Sequence, residues 1–467
     1  MWDFYESQLA VLVFFSAFFY GLDRKVSRKA APKERSDNLE NGNVAHPENV
    51  SSLARKYLTV YAIVMGADWL QGPYVYSLYN EEYEFPERMV AFLFVTGFMS
   101  AALTAPLVGA WADQHGRRRL CMAFCVTYAI TCMCITVPSL PILFLGRVLG
   151  GLSTSILYSA FESWLVSSSN QLALHQSALS NILGRATLVN GIVAAIAGVV
   201  SNKLVSTTLT FKAPFIASGA LLVLAWFVIN RTWHENRGGT SSGDDDGIFQ
   251  LRRLGQAWDI VRSDPLLLVL GLTQTCFEGS MYLFVFVWVP TLQEASHSAT
   301  LPLGIIFSAF MLSMMIGSLL YTAIVSNPPP TRPGQQADSS LTLHAKLSSL
   351  VCATSALALA ASVSSPSEYV RFGAFCVFEA CVGMYYPVQG MLRGTLIADG
   401  HRATLSALFR VPLNVFVVTS LLTGVGGARN LVLSACSAIL GFSSIMTGLV
   451  IVRSASEAPH SENLRPA

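Results

Sequence analysis

Charge is what this chain lacks. Of its 467 residues only 12% are Asp, Glu, Lys or Arg, against 52% hydrophobic and a mean hydropathy of +0.50. An ordinary soluble domain carries about a quarter charged residues, so a soluble globular chain, a disulfide scaffold and a disordered chain are all excluded. The net charge of +2 gives no global basic character for binding nucleic acid. No Walker A sequence is present, which leaves ATP-driven pumping without support. No catalytic constellation or cofactor fingerprint stands out, so the chain reads as a non-enzyme without a cofactor. The 9 cysteines fall in or at apolar stretches. Cys132-x-Cys134 lacks zinc-site spacing, leaving packing as their ordinary use. None of the 8 histidines lies in the middle of an apolar stretch, which argues against a histidine proton relay.

What the chain has instead is long apolar runs. A bilayer-crossing helix needs about 20 mostly apolar residues. A leading run occupies 4–22, and twelve more follow at 57–79, 89–111, 119–138, 140–165, 179–201, 213–230, 266–289, 302–325, 344–363, 369–392, 404–427 and 429–452. The fold class is an all-α polytopic membrane protein. The leading run is not a secretory signal: its start, Met1 to Glu6, carries no positive charge, and Arg24, Lys25, Arg28, Lys29, Lys33 and Arg35 come after it. That pattern predicts a retained helix with its N-terminus outside.

The positive-inside rule fixes the rest. With 23–56 in the cytoplasm and sides alternating, 22 of the 30 Lys and Arg are cytoplasmic; only Arg88, Lys203, Lys212, Arg371 and Arg429 fall outside. The predicted organisation is a leading helix at 1–22, a basic linker at 23–56, a six-helix half at 57–230, a central cytoplasmic loop at 231–265, a second six-helix half at 266–452 and a tail at 453–467. The central loop holds Gly238-Gly239-Thr240-Ser241-Ser242-Gly243 and Asp244-Asp245-Asp246, a flexible polar composition. Segments 36–52, 327–340 and 454–467 read as disordered.

The halves echo each other, as transporters built from repeats do. Gln71-Gly72-Pro73-Tyr74 matches Glu278-Gly279-Ser280-Met281, Arg147-x-x-x-Gly151 matches Glu379-x-x-x-Gly383, and Arg185 with Asn190 matches Arg410 with Asn414. A charge at mid-bilayer costs roughly 2.5–3.5 kcal/mol on insertion scales, so Asp68, Arg147, Glu162, Arg185, Glu278, Glu379 and Arg410 each require a reason. They sit on the first, fourth and fifth helix of each half. Ion pairs that glue helices, for instance Arg147 with Asp68, are one reading for any single charge. For the whole set a water-filled substrate path fits better, with Glu162, near a helix end, as the exception. Three arginines suit an anion, because guanidinium forks match oxyanions bidentately. If transport is proton-coupled, Asp68, Glu278 or Glu379 must carry the proton. Among the aromatic residues, Tyr74 and Tyr282 lie within two turns of Asp68 and Glu278 and are the candidate ligand contacts.

The loop after the second of the twelve spans runs from Gly109 through Asp113 and Gly116 to Arg117-Arg118-Arg119. It resembles the G-x-x-x-D-x-x-G-R-x-R signature of the major facilitator superfamily at every fixed position. Gly317 to Tyr321, its counterpart, lacks the acid and the basic cluster. Leu145 to Gly151 resembles that superfamily's membrane-embedded arginine motif, often associated with proton coupling. More narrowly, Asp68-Trp69-Leu70-Gln71-Gly72-Pro73-Tyr74-Val75-Tyr76, Ser159 to Val166 and Phe409-Arg410-Val411-Pro412-Leu413-Asn414 are similar to the eukaryotic molybdate-anion transporter family. The resemblance implies a major facilitator fold with one extra N-terminal helix in the plasma membrane, importing molybdate by alternating access. Arg185 and Arg410 would then clamp the oxyanion, Asn190 and Asn414 would add hydrogen bonds, Arg147 and Asp68 would couple protonation to the switch, and Glu278 and Glu379 would balance charge or carry the proton. The partners expected are a small oxyanion, a coupling proton and the lipid bilayer, with no nucleic acid. The alternatives are a carrier of another small anion or organic metabolite, and a non-transporting membrane scaffold.

Overall fold

The computed structural model describes residues 4–39, 47–172, 174, 176–236, 258–259, 261–296, 300–326, 340–397, 402–424 and 429–454. These form thirteen long helices: α1 (Phe4–Leu39), α2 (Pro47–Gln71), α3 (Glu87–His115), α4 (Arg117–Ile135), α5 (Leu140–Gln171), α6 (Gln176–Thr208), α7 (Ala213–Thr232), α8 (Pro265–Ala295), α9 (Leu303–Ser326), α10 (Ser340–Ser364), α11 (Glu368–Leu396), α12 (Arg402–Gly424) and α13 (Arg429–Met446). Ten are long and apolar enough to cross a membrane. The other three, α2, α11 and α12, contain Asp68, Glu379 and Arg410. No strand occurs among the described residues.

Segment 36–52, expected to be disordered, is helical at both of its ends. α1 continues to Leu39 and α2 begins at Pro47. The Lys, Arg, Glu and Ala that follow the apolar part of α1 are good helix formers, and the early turns of α2 bury Leu53, Ala54 and Tyr57. The glycine- and aspartate-rich centre of the middle loop, the proline-rich 327–339 and the tail from 455 lie outside the described residues.

Helix ends follow local chemistry. α8 begins where the Asp264 carboxylate accepts the Leu266 N–H at 2.8 Å, with Pro265 in the first turn. α2 ends at Gly72-Pro73, because proline cannot donate to the ladder; a 3₁₀ turn (Gly72–Tyr74) and a π turn (Leu78–Glu82) carry the chain onward.

The chain divides into two compact units. The first comprises Met1–Leu12, Ser27–Ser242 and Pro302–Leu312; the second comprises Val13–Val26, Gly243–Leu301 and Ser313–Ala467. In the first, Tyr57, Phe124, Phe161, Trp164 and Trp233 build the core, with Trp164 and Trp233 stacked at 3.7 Å. Small residues bring helix backbones together, as membrane interiors favour. Gly151 of α5 packs against the backbone of Gly97 and Ala101 on α3, and Ser100 Oγ donates across the crossing to the Val148 carbonyl at 2.7 Å.

In the second unit Gly383 of α11 packs against the Met314 backbone and Gly317 of α9 against that of Ala380. The repeated x-x-x-Gly pattern at Gly151 and Gly383 therefore has a packing basis: each glycine sits where the fourth helix of its half meets the second. α10 and α13 exchange hydroxyl bonds, Ser349 Oγ to the Ser444 carbonyl at 2.9 Å and Ser444 Oγ to the Ser349 carbonyl at 2.7 Å. Two arginines expected on the outer side, Arg371 and Arg429, close the end of α8. Arg371, 6% exposed, donates to the Thr291 carbonyl at 2.9 Å, and Arg429 donates to that of Pro290 at 3.2 Å. Their charge complements the negative helix terminus.

Candidate functional site

The signature loop folds around a residue that sequence reasoning did not single out. Gly116 turns the chain from α3 into α4 at φ +97°, a conformation open to glycine and strained for other residues. The same missing side chain leaves room for Glu235, which a Cβ at Gly116 would strike. The Glu235 carboxylate accepts the backbone N–H groups of Arg118 at 3.0 Å and Arg119 at 3.1 Å, capping the positive end of α4. Arg119 adds an exposed ion pair to it at 3.9 Å. Arg118 Nη2 donates to Asn230 Oδ1 at 2.6 Å and to its carbonyl at 2.9 Å, while the Arg117 N–H bonds the Asn236 carbonyl at 3.1 Å. Trp233 and Asn236 anchor this strap: Trp233 Nε1 donates to the Lys56 carbonyl at 3.2 Å, and Asn236 Nδ2 to the Trp164 carbonyl at 3.0 Å. The side chains of Gly109 and Asp113 positions lie outside the described residues.

In the first unit the expected Arg147–Asp68 pair does not form. Arg147 Nε donates to the Leu93 carbonyl at 3.0 Å and its guanidinium lies 5.1 Å over the Phe94 ring, beside Gly97 of α3. The α3–α5 crossing pulls Arg147 onto α3. Asp68 accepts instead from the Tyr128 hydroxyl of α4 at 2.6 Å. Glu162 is exposed, and both it and Asp68 lie within electrostatic range of Tyr61.

Asn190 accepts from Trp69 Nε1 at 2.8 Å. Arg185 is exposed on the same helix, but residues five apart lie roughly 140° apart around an α-helix, so one compact ligand cannot be held by both from α6. Tyr74 is buried, with its hydroxyl donating to Asn202 Oδ1 at 3.0 Å and its ring stacked on Phe211. It belongs to the packing around α6.

The second unit brings several expected residues together. Phe409 and Phe416 of α12 lie against Gly271 and Gly279 of α8, which seats Arg410 and Asn414 beside the turn carrying Glu278 and Tyr282. Glu278 Oε1 accepts from the Tyr385 hydroxyl at 3.3 Å and Oε2 from Gln274 Nε2 at 3.4 Å. Tyr385 is fixed by stacking on Phe277 at 3.9 Å. Arg393 and Arg410 both lie within electrostatic range of Glu278, and Tyr282 within range of Glu278 and Arg410.

Arg393, counted by sequence among loop residues, belongs to the last turn of α11, where its Nε donates to the Gln389 carbonyl at 3.3 Å. Sequence reasoning singles out neither Arg393 nor Gln274, although Tyr385 belongs to the aromatic set around the charges; the i, i+4 spacing of Gln274 and Glu278 is the available signal. Arg410 is exposed and Asn414 half-buried, one turn apart on one helix face. Glu379 sits apart, 5% exposed, with no hydrogen-bond partner for Oε2.

A bundle of long helices with glycine crossings, a signature loop and two arginines within electrostatic range of a carboxylate on α8 fits a transporter of the major facilitator type. Over residues 14–378 the chain matches MFS_5, a family described as sugar transporters with 12 transmembrane helices. It is 33% identical over 388 residues to the molybdate-anion transporter of Takifugu rubripes, covering 78% of each chain. It is also 34% identical over 388 residues to that of Danio rerio, again covering 78% of each. The chain belongs to the molybdate-anion transporter family of the major facilitator superfamily. Solved structures agree on the fold: the nucleoside transporter NupG (D323A mutant) aligns with a TM-score of 0.66 at 12% identity, covering 85% of this chain and 99% of its own. A bacterial homologue of the human lysosomal transporter Spinster, inward-facing and occupied, gives 0.58 at 14% identity, covering 89% of this chain and 97% of its own.

Proposed function

We propose that the protein is a secondary carrier that imports molybdate across the plasma membrane by alternating access, with its N-terminus outside. The observation that carries this reading is the seating of α12 on α8, with Phe409 and Phe416 against Gly271 and Gly279, which brings the exposed Arg410 beside the turn that holds Glu278; Arg393 and Arg410 both lie within electrostatic range of that carboxylate. A guanidinium exposed on a membrane helix faces water, because lipid contact costs several kcal/mol. Two guanidiniums with one carboxylate leave a positive surplus that suits a small oxyanion, and each fork can hold two of its oxygens. Arg410 binds the oxyanion with Asn414 on the same face, and Tyr282 borders it. Arg185 is exposed on α6 of the first unit. Asn190 and Tyr74 support the packing of α6. Asp68 is a candidate coupling group, whereas Arg147 clamps α5 to α3. Sulfate, similar in charge and shape, is discriminated by seat size and hydrogen-bond count.

Molybdate uptake by cells expressing wild type or Arg410→Ala, normalised to surface protein, tests the reading. A charged hydrogen bond is worth about 1.5–3 kcal/mol, so uptake should fall by about tenfold or more. Unchanged uptake by the variant refutes the role of Arg410, and no uptake by wild type refutes the substrate. Competition with sulfate, phosphate and a sugar separates this reading from a carrier of another solute, the alternative that the family's description raises.

A further inference from the structure

We propose that the cytoplasmic continuation of α1 is a binding surface for anionic phospholipid headgroups, built from Arg24, Lys25, Arg28 and Lys29. The inference takes its leaflet, and only its leaflet, from the orientation proposed above. α1 is one helix from Phe4 to Leu39, 36 residues long. At about 1.5 Å per residue it measures about 54 Å, whereas a hydrocarbon core is about 30 Å thick. The apolar run at 4–22 fills that core, so the next two turns rise through the headgroup layer. All four cations belong to those turns, within about 11 Å of the end of the run.

The apolar part of α1 has an outward and an inward side. Val11, Val13, Phe14, Phe15 and Phe18 are each 45% or more exposed, whereas Tyr5 and Ser16 are each 3% exposed. At about 100° per residue, the five exposed positions fall in one arc of about 200°, and Tyr5 and Ser16 lie together near the middle of the remainder. Carried forward along the helix, the same arc contains Arg24, Lys25, Arg28 and Lys29, and the opposite side contains Asp23. An exposed apolar face on a membrane helix meets lipid. The side of α1 that meets lipid tails therefore becomes, at headgroup depth, its basic side. Pro32 cannot donate to the ladder, so this register holds for the turns before it; Lys33 and Arg35 come after.

Topology alone does not require this pattern. The positive-inside rule counts basic residues on one side of the membrane and is indifferent to the helix face on which they fall. Anionic headgroups are not indifferent. The potential of a charged leaflet decays within a Debye length, about 8 Å at physiological salt, so cations on the lipid side gain more than cations on the opposite side. Clusters of about four to eight Lys and Arg directly after a membrane helix attract anionic lipid on this basis. A headgroup phosphate or carboxylate offers oxygens that a guanidinium forks onto and an ammonium pairs with. Phosphatidylserine carries both groups and is the probe of choice.

The test uses the full-length protein in detergent, titrated with phosphatidylserine or phosphatidylcholine, with bound lipids counted by native mass spectrometry. Wild type should retain phosphatidylserine at a concentration about tenfold lower than phosphatidylcholine. A fourfold variant, Arg24→Gln, Lys25→Gln, Arg28→Gln and Lys29→Gln, should lose that preference with phosphatidylcholine binding unchanged. A rearranged variant adds Asp23→Lys, Ser27→Lys and Ala30→Lys to the four, restoring the net charge at the same depth on the opposite side of the helix. It should behave like the fourfold variant, and monodisperse elution shows that both are folded. A preference kept by the fourfold variant, or restored by the rearranged one, overturns the proposal. A preference that wild type acquires only after Asp244, Asp245 and Asp246 are changed to Asn makes the chain's own acidic segment the occupant and overturns it as well. An epitope at the N-terminus reads the orientation separately: if intact cells hide it, the cytoplasmic assignment falls, while the lipid surface stands or falls on the binding data.

Discussion

Replacing Glu235 should loosen the signature loop by an amount that its contacts fix in advance. The carboxylate accepts two backbone N–H groups, at 3.0 and 3.1 Å, at the first turn of α4. Each has no partner within the helix. A side-chain cap at such a position is worth about 1 kcal/mol, and the charge at the helix terminus adds about 0.3–1. The exposed Arg119 pair contributes little. Glu235→Ala should therefore cost about 1–2 kcal/mol, and Glu235→Gln, which keeps an acceptor but loses the charge, about half that.

The stronger test pairs Glu235 with Gly116. Gly116→Ala alone suffers twice, from a φ of +97° and from collision with the carboxylate. Removing the carboxylate relieves the collision and leaves the backbone strain, roughly 1–3 kcal/mol. The double variant should thus be more stable than the sum of the single losses requires, by about 1 kcal/mol or more. Thermal unfolding in detergent, followed by monodisperse fraction in size-exclusion chromatography, reads the differences as midpoint shifts of a few degrees per variant, about 2–4 °C per kcal/mol for a unit of this size. Strict additivity of the two substitutions, or a Glu235→Ala midpoint equal to wild type, would show that the carboxylate does not sit in the turn.

Further outcomes follow from single contacts. Arg147→Lys keeps the charge but loses the fork that bonds the Leu93 carbonyl and covers Phe94; it should lower thermal stability while leaving the pH profile of uptake unchanged, and an altered profile would restore a coupling role. Trp69→Phe removes the donor to Asn190 and should cost about 1 kcal/mol in the same unfolding assay. Gly279→Leu places a side chain where the Phe416 ring packs, so it should displace α12 and abolish oxyanion binding, measured on protein that still inserts in the membrane.

Much of the architecture was legible because the bilayer imposes a length and composition on every crossing. The helices that fell short of that apolar standard, α2, α11 and α12, carry Asp68, Glu379 and Arg410, whereas α8 meets it although it carries Glu278. Pairings were less legible. Arg147 and Asp68 have complementary charges on neighbouring helices, yet Arg147 turns to a carbonyl of α3 because glycine lets those backbones approach closely. Sequence could count the charges but not the distances at which helices cross. Arg393 was missed for a similar reason: a helix end is uncertain by a few residues, and that margin moved a guanidinium from a loop to the vicinity of Glu278.

Within each unit the carboxylates and guanidiniums are arranged differently. In the first, Asp68 and Glu162 share tyrosine neighbours, with the phenol of Tyr128 holding Asp68. In the second, Glu278 shares its surroundings with two arginines. A duplicated scaffold would make the two alike, and at the glycine crossings it does: Gly151 and Gly383 both seat a fourth helix on a second. The charged side chains do not follow that likeness. Packing requires the glycines in both units, because any side chain there collides with a backbone. Nothing in packing requires both units to carry the same charge, so the charges are free to differ where the glycines are not.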